Sequence, residues 1–123
     1  MPILVIEDHK QVRENICEIL ELENYIVRTA ENGLQGLSMA RQIKPRLILC
    51  DVSMPLLNGY EVINQLKQDT AVSHIPFFFL SAFVDKFEIE IGLRLGAAGY
   101  IVKPFDPAHL IKSISNYLNK KLV

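Results

Sequence analysis

Short apolar runs alternate with longer amphipathic segments along the whole chain, and this alternation restricts the possible folds most strongly. Ile3–Ile6 and residues 47–50 are continuous apolar runs, which are typical of strands buried on both faces. Between them, apolar residues recur at helical spacing at Val12, Ile16 and Ile19. Because strands that alternate with helices form right-handed βαβ units, we predict an α/β fold with a parallel sheet and helices on both faces.

Five strands and five helices are expected. The other strand candidates are residues 25–27, residues 75–80 and Gly99–Val102. The expected helices contain residues 12–20, run from the turn at residues 31–33 to about Ile43, and cover Gly59–Lys67, residues 83–95 and residues 106–118. We expect Gly96 to close the fourth helix, with Val84, Phe87, Ile91 and Leu95 on its core face. Asp106 is the expected N-cap of the last helix, with Pro107 in its first position.

Composition excludes several classes of protein. The 123 residues fit a single domain, and a hydrophobic content of 50% argues against disorder. A net charge of −1 gives no electrostatic reason to expect direct contact with nucleic acid or a membrane. No apolar run approaches the roughly 18 residues of a membrane span, and no signal peptide is recognisable. Cys17 and Cys50 lie in apolar stretches and are expected to be buried thiols, so we expect a cytoplasmic protein.

Polar residues follow four of the five expected strands. Glu7 and Asp8 follow the first strand, Asp51 follows the third, Ser81 the fourth and Lys103 the fifth. Ligands of open parallel sheets bind beyond the carboxyl ends of the strands. Each residue alone has an ordinary explanation as a turn residue or helix cap. Their shared position at one edge instead favours a site made of three carboxylates, a hydroxyl and an ammonium group.

This set of groups suits phosphoryl chemistry. Clustered carboxylates repel each other, and Mg²⁺ is typically held by one or two carboxylates together with water. Carboxylates are also known acceptors of phosphoryl groups, whose transfer needs mainly positioning and charge neutralisation. A phosphoryl group on Asp51 could be neutralised by the metal and Lys103 and accept a hydrogen bond from Ser81.

The chain resembles, from end to end, the receiver domain of two-component response regulators. The matching motifs are the Glu7–Asp8 pair, "DVSMPLLNG" around Asp51, "LSAF" with Ser81 and "GYIVKPF" with Lys103, all in the family's order. The resemblance implies a flavodoxin-like, doubly wound five-stranded sheet of order 2-1-3-4-5. It also implies that residues 1–123 form one receiver (response regulatory) domain that acts as a phosphorylation-activated signalling switch.

By the same resemblance, Asp51 is the phosphoacceptor and receives its phosphoryl group from a histidine kinase or phosphotransfer protein. Asp8 would bind Mg²⁺ directly, with Mn²⁺ as a possible substitute, and Glu7 would bind it directly or through a water. Asp51 itself and the backbone carbonyl of Ser53 would complete the protein ligands.

The remaining roles concern switching. Ser81 matches the switch hydroxyl, Tyr100 the aromatic residue that changes rotamer with it, and Lys103 the phosphate-contacting lysine. The family usually has a cis peptide at the position of Pro104, and Gly59 matches the glycine of the loop beyond the phosphoacceptor.

The same resemblance implies a partner surface on the fourth helix, fifth strand and fifth helix. Ile89 and Leu93 lie nearly opposite the expected core face of the fourth helix, and with Tyr100 they are predicted to contribute to a regulated interface with an unknown output protein. The protein would be a monomer or a weak, phosphorylation-dependent dimer. Phe83 either shields the acyl phosphate from water or only packs, and we hypothesise that it slows dephosphorylation.

Alternatives remain at this stage. The chain shows no effector domain, so it is either a single-domain regulator or part of a longer regulator or hybrid kinase. It is not expected to be a turnover enzyme, because an aspartyl phosphatase would need a second acid where Val52 and Ser53 stand. A flavin site is disfavoured because Glu7 and Asp8 would repel its phosphate. A degenerate receiver used only for docking is a further alternative.

Overall fold

A computed structural model describes residues 1–82 and 85–122, without the side chains of residues 119–122. The strands are β1 (Ile3–Ile6), β2 (Val27–Ala30), β3 (Leu47–Asp51), β4 (Phe77–Ser81) and β5 (Gly99–Val102). The helices are α1 (Lys10–Leu22), α2 (Gly33–Ile43), α3 (Gly59–Lys67), α4 (Lys86–Arg94) and α5 (Pro107–Leu122). All strand pairs are parallel, and the sheet has the order β2-β1-β3-β4-β5, which confirms the predicted fold and strand order.

The continuous apolar runs of β1, β3 and β4 are buried on both faces of the sheet. Successive side chains of a strand point to opposite faces, so each run supplies two cores. One core joins Leu4, Ile48 and Phe79 of the sheet to α2 and α3. The other joins Val5 and Leu49 to α1 and α5. This double coverage keeps the central strands, and the residues that end them, in fixed positions.

Side-chain caps determine where several helices begin. The Asn58 side chain accepts a hydrogen bond from the backbone N–H of Glu61, whose carboxylate accepts one from the N–H of Asn58, forming a capping box at α3. At α5, Asp106 accepts a hydrogen bond from the N–H of Ala108, and the helix begins at Pro107 as predicted. The capping box begins α3 only eight residues after β3 ends, so the loop beyond Asp51 is short.

The fourth helix differs from its prediction. It begins at Lys86 because Asp85 caps it, accepting a hydrogen bond from the N–H of Glu88 at 2.8 Å. Phe87, which was predicted to face the core, is 69% exposed, so that prediction was wrong. Gly92 is instead the residue of α4 that packs directly on the sheet, against the rings of Phe79 and Tyr100. The predictions for Phe83 and Val84 lie outside the described residues.

Two strands are shifted from their predicted limits. β2 covers Val27–Ala30 rather than residues 25–27, because Val27 pairs with Ile3 while Ile26 lies largely in solvent. β4 begins at Phe77 rather than Ile75, and Pro76 contributes only its carbonyl, to the N–H of Ile48. Among the described residues, no helix has both the length and the apolar character needed to cross a membrane.

Candidate functional site

The carboxyl ends of β1, β3, β4 and β5 meet at one edge of the sheet. The parallel pairing aligns Ile6 with Cys50, Asp51 with Leu80, and Ser81 with Val102. Residues at or just beyond these positions therefore share one edge. β2 lies outside β1 and contributes no functional group that the sequence had singled out.

Three carboxylates form the centre of this edge. Glu7, Asp8 and Asp51 each place one carboxylate oxygen within 4.8 Å of the others. Glu7 and Asp51 are buried, whereas Asp8 is exposed. Carboxylate oxygens are the ligands that Mg²⁺ prefers, and a half-open cluster leaves room for the waters that this ion retains. The donor set therefore fits a magnesium ion.

Lys103 lies between two of these acids. Its Nζ atom is 2.6 Å from Glu7 Oε1 and 3.3 Å from Asp51 Oδ1, and its side chain is 20% exposed. With Asp8 included, three negative charges face one positive charge, so the cluster keeps an excess of negative charge that a divalent cation would neutralise.

The pKa values of Glu7 and Lys103 depend on both burial and neighbouring charges. Burial raises the pKa of Glu7, and the negative charge of Asp51 raises it further. The hydrogen bond from Lys103 lowers it, but the pKa of Glu7 still lies above the usual range. Burial alone would lower the pKa of Lys103, but the hydrogen bond to Glu7 and the charge of Asp51 outweigh it, so this pKa also lies above the usual range. Lys103 is therefore charged at neutral pH.

The loop after Asp51 returns tightly to the strand. The N–H of Gly59 donates a 2.8 Å hydrogen bond to the carbonyl of Val52. A Cβ atom at Gly59 would lie 2.4 Å from the carbonyl oxygen of Asp51, a distance that real side chains do not show. Glycine at this position thus permits the close return of the chain beside Asp51. Ser53 is exposed in the same loop.

The two remaining strand ends adjoin each other. Ser81 ends β4 and is buried, and its carbonyl accepts a 2.7 Å hydrogen bond from the N–H of Lys103. The Lys103–Pro104 peptide bond is cis. The thiol of Cys50 donates to the carbonyl of Asp51 at 3.3 Å, and burial raises its pKa well above the usual range, so it is a protonated thiol.

An aromatic cluster links this edge to α4. The ring of Tyr100 is 5.8 Å from that of Phe79, and its hydroxyl is buried without a hydrogen-bond partner among the described residues. Tyr60 of α3 donates a 2.5 Å hydrogen bond to the carboxylate of Glu88 on α4. Burial and this hydrogen bond raise the pKa of Tyr60. Leu93, on the same helix, is 47% exposed, and Ile89 is partly buried.

Three residues near this edge were missed by sequence reasoning, namely Tyr60, Glu88 and Arg13. The Tyr60–Glu88 bond spans 28 residues of sequence, and no local pattern predicts which helices approach each other. Arg13 was also missed, although its guanidinium group contacts the backbone that carries Glu7 and Asp8. The available signal was a basic residue in the first turn of α1, close to two acids, where a surface charge would also be ordinary.

Comparisons with known proteins agree on one family. The profile described as "Response regulator receiver domain" matches residues 3–115. "Probable transcriptional regulator ycf29" of Pyropia yezoensis is 37% identical over 98% of this chain, which spans only 54% of that relative. "Protein PilH" of Pseudomonas aeruginosa is 35% identical, with 94% of this chain and 96% of PilH covered. The structure of chemotaxis response regulator CheY4 of Vibrio cholerae is 27% identical and has a TM-score of 0.89 over 94% of this chain and 96% of its own.

Proposed function

The chain belongs to the response regulator receiver domain family of two-component signalling, and from this premise we propose that it is a phosphorylation-activated switch with Asp51 as its phosphoacceptor. The observation that carries the proposal is the position of Asp51, whose carboxylate lies within 4.8 Å of carboxylate oxygens of two further acids and 3.3 Å from Lys103 Nζ. A receiver is a signalling switch rather than an ordinary turnover enzyme. The phosphoryl donor we propose is a histidine kinase or a phosphotransfer protein.

The reaction needs few groups from this chain. A carboxylate oxygen of Asp51 attacks the phosphorus of a phosphohistidine, the P–N bond breaks, and its electron pair stays on the imidazole of the partner. Lys103 lies close enough to Asp51 to neutralise charge on a transferred phosphoryl oxygen. We assign the hydroxyl of Ser81, at the buried end of β4, as the hydrogen-bond donor to another phosphoryl oxygen. No general base is required, because an ionised carboxylate is already the nucleophile.

Further charge neutralisation is assigned to a metal. The residues that would hold it are Glu7, Asp8, Asp51 and the backbone carbonyl of Ser53, and bound Mg²⁺, or Mn²⁺ in its place, supplies positive charge to the phosphoryl oxygens. Both oxygens of the Glu7 carboxylate already accept a hydrogen bond, Oε1 from Lys103 and Oε2 from the N–H of His9. Glu7 would therefore bind the ion beside these two donors, directly or through a water.

Signal output requires a partner protein that binds the phosphorylated and unphosphorylated states with unequal affinity. We propose that Ser81 and Tyr100 change together on phosphorylation and that α4, β5 and α5 present the altered surface to an output protein that binds the two states unequally. The exposed positions Leu93 and Phe87, together with Ile89, offer apolar area on α4. The substitutions Ile89→Asp and Leu93→Asp should abolish phosphorylation-dependent association, measured by analytical ultracentrifugation or partner capture. Unchanged association would contradict the choice of this surface.

The cellular location and the oligomeric state of the domain are also proposals. The free cysteines Cys17 and Cys50 are consistent with a reducing, cytoplasmic environment. We propose a monomer, or a weak dimer formed on phosphorylation, without direct contact to nucleic acid. Residues 1–123 are taken as one receiver domain.

Intact mass spectrometry tests the acceptor. The domain is incubated with a small acyl phosphate, with Mg²⁺ or with a chelator, beside the variants Asp51→Asn and Glu90→Gln. Glu90 is an exposed acid of α4 and serves as the matched control. One phosphoryl group should be added to the unaltered domain and to Glu90→Gln, only with Mg²⁺, and none to Asp51→Asn. Absence of the adduct throughout would favour a docking-only receiver.

A further inference from the structure

We propose that Arg13 is a positioning residue that holds the loop between β1 and α1, so that Glu7 and Asp8 present their carboxylates to a divalent cation. This inference rests on the proposed function and adds a residue that has no role in it so far. The guanidinium Nη1 atom donates a 2.9 Å hydrogen bond to the backbone carbonyl of Glu7 and approaches the carbonyl of Asp8 at 3.5 Å.

The side chain of Arg13 is itself firmly held. Its exposed fraction is only 12%, and its Nη2 atom lies 3.6 Å from the carboxylate of Glu31, beyond the end of β2. The backbone N–H of Arg13 donates a 2.9 Å hydrogen bond to the carbonyl of His9. This backbone bond is the ordinary first-turn bond of α1, so the side chain itself contacts the carbonyls of two consecutive loop positions, Glu7 and Asp8.

These contacts lie on the backbone of the acids, not on their carboxylates. The sheet holds the loop at its beginning, where the N–H of Glu7 donates to the carbonyl of Ala30. Within the loop, the N–H of His9 donates to Glu7 Oε2. The contacts of the guanidinium group to Glu7 and Asp8 are to their carbonyls, so it does not compete with a cation for their carboxylate oxygens. A lysine ammonium, a compact point charge, lacks the rigid planar fork that reaches several acceptors at once.

The direction of the change in Mg²⁺ affinity distinguishes a positioning role of Arg13 from a purely electrostatic one. Arg13 is a cation beside a site for a dication, so its charge alone repels the metal, and removing only that charge should strengthen binding. Loss of a residue that orients metal ligands should weaken binding instead, typically by about 10- to 100-fold. The two explanations thus predict changes of opposite direction in the same measurement.

Isothermal titration calorimetry with MgCl₂ measures this direction. The proteins compared are the unaltered domain, Arg13→Met, Arg13→Lys and Glu31→Gln as the control that changes the charge partner but keeps the guanidinium group. We expect about tenfold or greater weakening in Arg13→Met, weakening also in Arg13→Lys, and an affinity close to that of the unaltered domain in Glu31→Gln.

Hydrogen exchange distinguishes positioning from loss of the fold. In Arg13→Met the amide of His9 should exchange faster, while the amides of Ile16 and Leu20 in α1 keep their protection. If exchange accelerates throughout α1 as well, the weaker binding reflects global destabilisation and the proposal is overturned. Equal or tighter Mg²⁺ binding by Arg13→Met also overturns it. Absence of Mg²⁺ binding by the unaltered domain would instead overturn the proposed function, and this role of Arg13 with it.

Discussion

The substitution Lys103→Met tests the electrostatics of the site most severely. Methionine keeps an unbranched side chain but removes the ammonium group that lies 2.6 Å from Glu7 Oε1 and 3.3 Å from Asp51 Oδ1. In the presence of a chelator, the carboxylates of Glu7, Asp51 and Asp8 then face each other without a counter-charge. We expect the metal-free domain to lose stability for this reason.

The size of the loss follows from burial. Removing one partner of a buried ion pair costs about 3–5 kcal/mol, because a charge remains buried without compensation. The pair is almost fully buried on the side of Glu7, but Lys103 is 20% exposed, which places the estimate at the lower end. We therefore expect the free energy of unfolding to fall by about 3 kcal/mol near neutral pH.

The loss should depend on pH and on Mg²⁺. Burial already raises the pKa of Glu7, and removal of the hydrogen bond from Lys103 raises it further. An acid with a higher pKa in the folded state than in the unfolded state favours folding at low pH, so the deficit should shrink as the pH falls from neutral toward about 4.5. Mg²⁺ should shrink it as well, because the ion binds only the folded site and restores positive charge there.

Urea unfolding followed by circular dichroism measures these differences, since the chain contains no tryptophan. Lys112→Met, which removes an exposed charge of α5, is the matched control. A loss in Lys103→Met no larger than in this control, or one that neither Mg²⁺ nor acid reduces, would refute the electrostatic reasoning.

Three further substitutions give distinct expectations. Glu7→Gln should raise the stability of the metal-free domain relative to the unaltered one, because burial disfavours the ionised form of Glu7 and Lys103 keeps Asp51 as a charged partner. The difference should grow as the pH rises above about 4.5; a difference that falls with pH in urea unfolding would contradict this. Gly59→Ala should cost about 1–3 kcal/mol in the same assay, because its Cβ atom would lie 2.4 Å from the carbonyl oxygen of Asp51. No measurable loss would show that the loop relaxes freely. Tyr60→Phe should lower the stability by about 1 kcal/mol through loss of the hydrogen bond to Glu88, and combining it with Glu88→Gln should add little; independent losses would contradict the pairing.

The sequence predicted the main features of the site because topology left few alternatives. Continuous apolar runs such as Ile3–Ile6 are typical of strands buried on both faces, and their alternation with helices favours a parallel sheet covered by helices. The carboxyl ends of such strands share one edge, so Glu7, Asp51 and Lys103 could be placed together before any distance was known. The apolar pattern predicted the strands, and the polar residues that follow those strands predicted the site.

Features that depend on how helices, strands and loops pack against each other could not be predicted from apolar periodicity. The apolar period placed Phe87 in the core, but α4 packs on the sheet through Gly92, and Phe87 in its first turn lies in solvent. β2 is an edge strand of mixed burial, so its apolar pattern marked its limits poorly. The contacts of Arg13 join a helix to a loop carbonyl six positions away, which periodicity does not encode.

Phosphorylation at the carboxylate of Asp51 can be located directly by chemical reduction. After phosphorylation with a small acyl phosphate and Mg²⁺, borohydride reduces an aspartyl phosphate to homoserine, and tandem mass spectrometry of the digested chain locates the product. We expect homoserine at position 51, with Asp8 unmodified. Homoserine at Asp8 or at any other aspartate, with position 51 unchanged, would contradict it.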